Sequence, residues 1–195
     1  IYRDHSESCA PCLVYYHAGG WVIGDLDTHD HQCRQLAQRT KATIIAVDYR
    51  LAPEHPFPAS HTDCMDALRY LAKESKALHL DPNRVFTYGD SAGGHLAQML
   101  LLTQATDFPG TAELSGQNYT MLGGVSWYGP CDFEKTALFN HDDRPKFRDR
   151  FGPRVLKSDS PPEDKLRLYR EVSPVNYLKQ SSPPLLMIQG DGDTT

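Results

Sequence analysis

Residues 85–102 constrain the fold more than any other part of the chain. An apolar, β-prone run, Val85-Phe86-Thr87, enters Tyr88-Gly89-Asp90-Ser91-Ala92-Gly93-Gly94 and leaves as Leu96-Ala97-Gln98-Met99-Leu100-Leu101-Leu102. The first run predicts a strand and the last a helix that is apolar all round, hence buried. Only a sharp corner joins them. Side chains two positions either side of its apex would collide, and glycines stand at both, Gly89 and Gly93. Ser91 at that apex is held in strained backbone, clear of its neighbours, at the N-terminus of the next helix. Unpaired N–H groups and the positive end of the helix dipole favour negative charge there. Ser91 is the candidate nucleophile, and the Ala92 N–H a candidate donor to an oxyanion.

A second glycine motif, His17-Ala18-Gly19-Gly20-Trp21, follows the strand-like Leu13-Val14-Tyr15-Tyr16. A glycine-rich loop leaving a strand lets a carbonyl oxygen approach backbone N–H groups closely. Gly19 and Gly20 are therefore expected to complete an oxyanion hole with Ala92.

Together with Gly24-Asp25-Leu26-Asp27-Thr28-His29-Asp30 and Asp48-Tyr49-Arg50-Leu51-Ala52-Pro53-Glu54, these motifs resemble the hormone-sensitive-lipase-like branch of the α/β-hydrolase esterases. The likeness runs in order from Leu13 to about Leu101 and resumes near Ser173. Ala18 departs from it, since the family usually has glycine there. Trp21 is similar to the tryptophan of related xylan-acetyl and feruloyl esterases and arylformamidases. The resemblance implies a Ser-Asp-His triad in that chain order. His17 then braces the oxyanion loop, and Asp90 is structural, its side chain turned away from the apex. Asp193, after the apolar run Pro184-Leu185-Leu186-Met187-Ile188-Gln189, becomes the acid, with Asp191 capping or orienting the loop. Asp132, after Gly124-Val125-Ser126-Trp127-Tyr128, is the alternative acid, one strand earlier. The family's base histidine falls a further βα unit beyond Thr195, so the chain is expected to be a fragment, inactive alone. It is expected to lack an N-terminal cap region as well. His29, His31, His55, His61 and His95 are expected to be structural or surface residues.

Strand and helix alternate throughout: strands at 13–17, 43–48, 84–88, 121–128 and 185–189, helices at about 28–39, 59–75, 91–103 and 163–170. Ile1-Tyr2-Arg3-Asp4 reads as the tail of an edge strand, and His5 to Pro11 as a turn. This order predicts one α/β domain over 1–195, a mostly parallel sheet with helices on both faces. Ligands bind at the carboxyl ends of such strands, where His17, Ser91, Asp132 and Asp193 fall. Residues 133–170 are charged, proline-punctuated and too long for a simple crossover, and are expected to form a cap-like insertion. Phe139, Phe147, Phe151 or Leu156 could line an acyl pocket there. Asp48 and Arg50 are expected to brace their loop as a charge pair.

Composition narrows the partners. A formal charge of −5 disfavours nucleic acid, and no run approaches the ~20 apolar residues of a membrane span. Five cysteines, an odd number, suggest reduced thiols and a cytoplasmic setting. Cys9-Ala-Pro-Cys12 lacks the helix N-terminus of a redox pair and the further ligands of a zinc site. The resemblance implies hydrolysis of small-molecule esters of short to medium acyl chains, without cofactor or metal. An arylformamidase or amidase of the same fold is an alternative, as is a hydrolase-fold receptor that binds ligand without turnover. Oligomeric state is not legible.

Overall fold

The expected alternation is present in the computed structural model, which describes residues 1–4, 7, 9–135, 155–156 and 162–193. In chain order the elements are β1 (Ala10–Tyr16), α1 (Asp30–Thr40), β2 (Thr43–Val47), α2 (Ala59–Lys73), β3 (Leu80–Asp90), α3 (Ala92–Leu102), β4 (Met121–Trp127), α4 (Pro162–Glu171) and β5 (Leu185–Ile188). All five strands are parallel, in the order β2-β1-β3-β4-β5. Tyr2 adds an antiparallel bridge to Ile44 at the β2 edge, as its edge-strand reading anticipated.

Period-two alternation divides the apolar side chains between the two faces. Cys12, Val14 and Tyr16 of β1 join the larger core under α2 and α3, whereas Leu13 and Tyr15 face α1 with Cys33, Ala37 and Ile44. α1 presents only Cys33 and Ala37, one turn apart, as buried contacts. α3 is buried at every residue, as expected of a helix without a polar face.

Two strands begin earlier than their sequence suggested. β1 opens at Ala10 and β3 at Leu80, and the register shifts between Ala10 and Cys12. Pro11, which read as a turn residue, and Pro82 both lie in that irregular stretch, where a proline is tolerated inside a strand. Cys12 consequently sits within β1, its thiol pushed up to about 12 by burial.

Of the insertion, Val155 and Leu156 are described before α4. Both are buried in the larger core, and Phe57 N donates to Val155 O at 2.7 Å. Phe139, Phe147 and Phe151 lie outside the described residues. The two ends of the insertion are tied together. Ser173 Oγ accepts from Phe133 N at 2.9 Å and donates to Tyr169 O at 2.6 Å, and Val175 N donates to Cys131 O at 3.1 Å.

Candidate active site

The carboxyl ends of four strands are level with one another. Tyr16 pairs with Gly89, Asp90 with Trp127, and Trp127 with Ile188. His17, Ser91, Tyr128 and Gln189 therefore leave the sheet along one edge, and the loops carrying Asp132 and Asp193 follow from it.

Ser91 has φ +51° and ψ −117°, outside the regions an L-residue ordinarily occupies. Its peptide belongs to both flanking elements: Ser91 N donates to Trp127 O at 2.8 Å, and His95 N donates to Ser91 O at 3.0 Å. The first bond is a last rung of the sheet and the second opens the helix. The glycines are dictated by contact. A Cβ on Gly93 would lie 1.9 Å from Tyr16 O and one on Gly89 2.2 Å from Gly93 O. Helix α3 thus starts hard against the end of β1, where the oxyanion loop departs.

That loop runs through three successive positive-φ residues, Gly19 (129°), Gly20 (60°) and Trp21 (61°). Gly19 O accepts from Val22 N and Ile23 N, closing the turn. Among the described residues, the N–H groups of Gly19, Gly20 and Ala92 donate to no other backbone group. His17 anchors the base of the loop. Its Nδ1 donates to Ala18 O at 2.7 Å, and its ring stacks on Tyr49 with centroids 4.3 Å apart. Tyr49 Oη in turn donates to His17 O at 2.7 Å. Burial holds the His17 ring below the ordinary imidazole range, so it stays neutral near pH 7.

Asp90 faces away from the apex. Its carboxylate accepts from Tyr15 Oη at 2.8 Å and from Tyr128 Oη at 3.4 Å. His95, one turn into α3, is equally committed. Trp21 Nε1 donates to its Nδ1 at 3.2 Å, its Nε2 donates to Val172 O at 2.7 Å, and burial lowers it to about 4. His61 is buried against Phe108 and lowered to about 3 by desolvation, with His95 adding to the effect.

The two candidate acids differ. Asp132, after β4, accepts from Glu134 N at 3.1 Å and pairs with Lys135 Nζ at 3.0 Å. Asp193 lies exposed in a turn after β5, its N–H donating to Gly190 O at 3.1 Å. The expected Asp48–Arg50 pair is replaced. Arg50 forms a two-pronged pair with Asp63 of α2, at 2.7 and 2.9 Å, and the Tyr49 side chain between Asp48 and Arg50 is buried. Tyr49 was the residue to notice: alternation along Val47-Asp48-Tyr49-Arg50 marks it as inward-facing. Among the described residues no cluster of three or more His, Cys, Asp or Glu could hold a metal ion, and no helix is long and apolar enough to cross a membrane.

A family model for the alpha/beta hydrolase fold matches residues 13–194. The chain belongs to that family. Its motifs mark the hormone-sensitive-lipase-like branch. The chain is 48% identical over 97 residues to esterase LipI of Mycobacterium tuberculosis, covering 50% of this chain and 30% of LipI. It is 44% identical over 98 residues to ethyl acetate hydrolase of Pseudomonas putida, covering 50% and 31%. The hyperthermophilic esterase of the archaeon Pyrobaculum calidifontis superimposes with a TM-score of 0.74 at 32% identity, over 95% of this chain and 57% of that one. The chain thus spans well under two thirds of the length of these relatives.

Proposed function

We propose that the whole protein is a serine carboxylesterase acting on esters of short to medium acyl chains. The observation that carries this reading is Ser91 at its strained apex, on a helix packed against the end of β1 where the Gly19-Gly20 loop departs, with the N–H groups of Ala92, Gly19 and Gly20 bonded to no backbone group among the described residues. Ser91 Oγ attacks the ester carbonyl carbon as its proton passes to a histidine base. The carbonyl oxygen, now anionic, takes hydrogen bonds from the three N–H groups. The C–O bond breaks and the alcohol leaves with the proton from the histidinium. Water, activated by the same base, then hydrolyses the acyl-enzyme and frees Ser91.

Asp193 is the reading's acid. It stands two strands from Ser91, about 10 Å between strand axes, a gap suited to an imidazole between the two side chains. Asp132 is one strand away. The resemblance to the family, whose chain order is Ser, Asp, His, implies a base after Asp193, outside these 195 residues, and an inactive state for the 195-residue chain alone; His17 and His95 also have ring contacts that oppose use as the base. The segment 133–170 is read as a cap, and the free thiols support a cytoplasmic setting. The Pseudomonas relative, by its name, hydrolyses ethyl acetate, which supports a short acyl group.

The test is hydrolysis of nitrophenyl esters, acetyl to decanoyl, by the full-length protein beside Ser91→Ala. Serine-dependent turnover is expected, strongest on the shorter chains. A folded protein inactive on all of them, or equal turnover by Ser91→Ala, would overturn the reading.

A further inference from the structure

Trp21 is an unusual residue to find at φ +61°, since a bulky side chain in left-handed backbone costs about 1–2 kcal/mol. Its surroundings hold it there. Its carbonyl accepts from Ala52 N at 2.8 Å, its indole ring meets His95 edge-on at 5.2 Å between centroids, and Phe133 packs against both rings. The indole N–H is a donor only, so His95 Nδ1 must be the bare lone pair that accepts it. The proton then sits on Nε2, which donates to Val172 O at 2.7 Å. One neutral imidazole, in one tautomer, joins three segments far apart in sequence: the oxyanion loop, the helix behind Ser91 and the chain just after α4.

We propose that His95 is a positioning residue of the oxyanion hole, a strut whose Nδ1 holds the Trp21 indole and through it the left-handed turn aiming the Gly19 and Gly20 N–H groups, while the Val172 carbonyl only fixes the tautomer that leaves Nδ1 bare. The inference rests on the serine-hydrolase reading for its kinetic consequence, but not for its geometry. Asn and Gln separate the two ends of the strut. The amide oxygen of His95→Asn stands where Nδ1 was and keeps the acceptor for Trp21. His95→Gln reaches the Nε2 position, keeping the donor to Val172 and leaving the indole N–H unpaired.

In the full-length protein, Trp21→Phe and His95→Gln are expected to lower kcat by about 10- to 100-fold with little change in KM, because misplaced donors weaken transition-state binding alone. His95→Asn is expected to restore kcat to within about threefold of the parent. The double variant Trp21→Phe/His95→Gln is expected to be no slower than either single one, since both cut the same link. Amide NMR gives a reading independent of turnover: the Gly19 and Gly20 resonances are expected to move in His95→Gln and to stay near the parent positions in His95→Asn. Unmoved glycine resonances in His95→Gln overturn the strut whether or not the protein hydrolyses esters. So does a His95→Asn variant as impaired as His95→Gln. Absence of serine-dependent turnover in the parent removes the hydrolase reading instead, and moved resonances would still support the strut.

Discussion

Gly93→Ala isolates the close approach on which the site depends. In an ordinary helix this change stabilises by about 1 kcal/mol. Here the new methyl carbon would lie 1.9 Å from Tyr16 O, 2.6 Å from Tyr16 C and 2.8 Å from His17 O. All three neighbours are backbone, so no rotamer change relieves the overlap. Real Cβ contacts essentially never fall below 3.0 Å, which requires α3 and the end of β1 to separate by at least about 1.1 Å, the difference between 3.0 and 1.9 Å. Overpacking of this kind typically costs about 1–3 kcal/mol, enough to lower Tm without unfolding a domain of ordinary stability. The larger effect falls on chemistry. Ala92 N rides on α3, whereas Gly19 and Gly20 ride on the loop leaving β1, so the separation pulls the two halves of the proposed oxyanion hole apart. A misplacement near 1 Å can cost about 100-fold. Stopped-flow hydrolysis of nitrophenyl acetate by the full-length protein is expected to show that loss in kcat, with KM much less affected. Gly93→Ala with kcat within about threefold of the parent would refute the assignment of Ala92 and the glycine loop to one hole.

Further expectations concern the triad and the buried histidines. Ser91→Ala should remove ester turnover while leaving circular dichroism and Tm near the parent values, and a residual rate equal to the parent's would exclude Ser91 as nucleophile. Asp193→Asn should lower kcat by about 10⁴-fold, as loss of the imidazole-orienting carboxylate does elsewhere. Asp132→Asn, which disturbs only a local turn and a surface pair, should cost far less, and the reverse ranking would move the acid one strand earlier. His61 and His95 are held neutral in the fold, at about 3 and about 4, against 6.5 for a free imidazole. The unfolded chain therefore binds protons that the folded chain refuses. Stability is intact above pH 6.5 and declines as pH falls toward 4, by about 1.4 kcal/mol per pH unit for each histidine. Urea midpoints at pH 7 and pH 5 check this: a marked fall is expected in the parent and a smaller one in His61→Leu, while equal midpoints in the parent would contradict it.

The corner at Ser91 and the Gly19-Gly20 loop were legible because each needs glycine for a local reason that any single sequence displays. The sheet and helices were legible from periodicity, and α3 from its lack of a polar face. The β1 boundary failed where Pro11 was read as a turn: with Pro82 it marks an irregular pairing of two strands that are 70 residues apart, a relationship no local window contains. The Arg50–Asp63 pair was missed for the same reason, since Asp63 lies 13 residues on, in α2, and Asp48 is the nearer carboxylate. His61 and His95 look like surface residues by type. Only the packing of Phe108, Trp21 and Phe133 around them removes them from water.

The peptide of Ser91 is a rung of the sheet on its N–H side and the start of α3 on its carbonyl side. The position of the hydroxyl is therefore inherited from the hydrogen bonding of the sheet and of α3 rather than from any loop. Insertions and exchanges in the segments above the sheet can reshape what is admitted to the serine without retuning where the serine stands. A scaffold of this kind separates the evolution of substrate range from the evolution of reactivity.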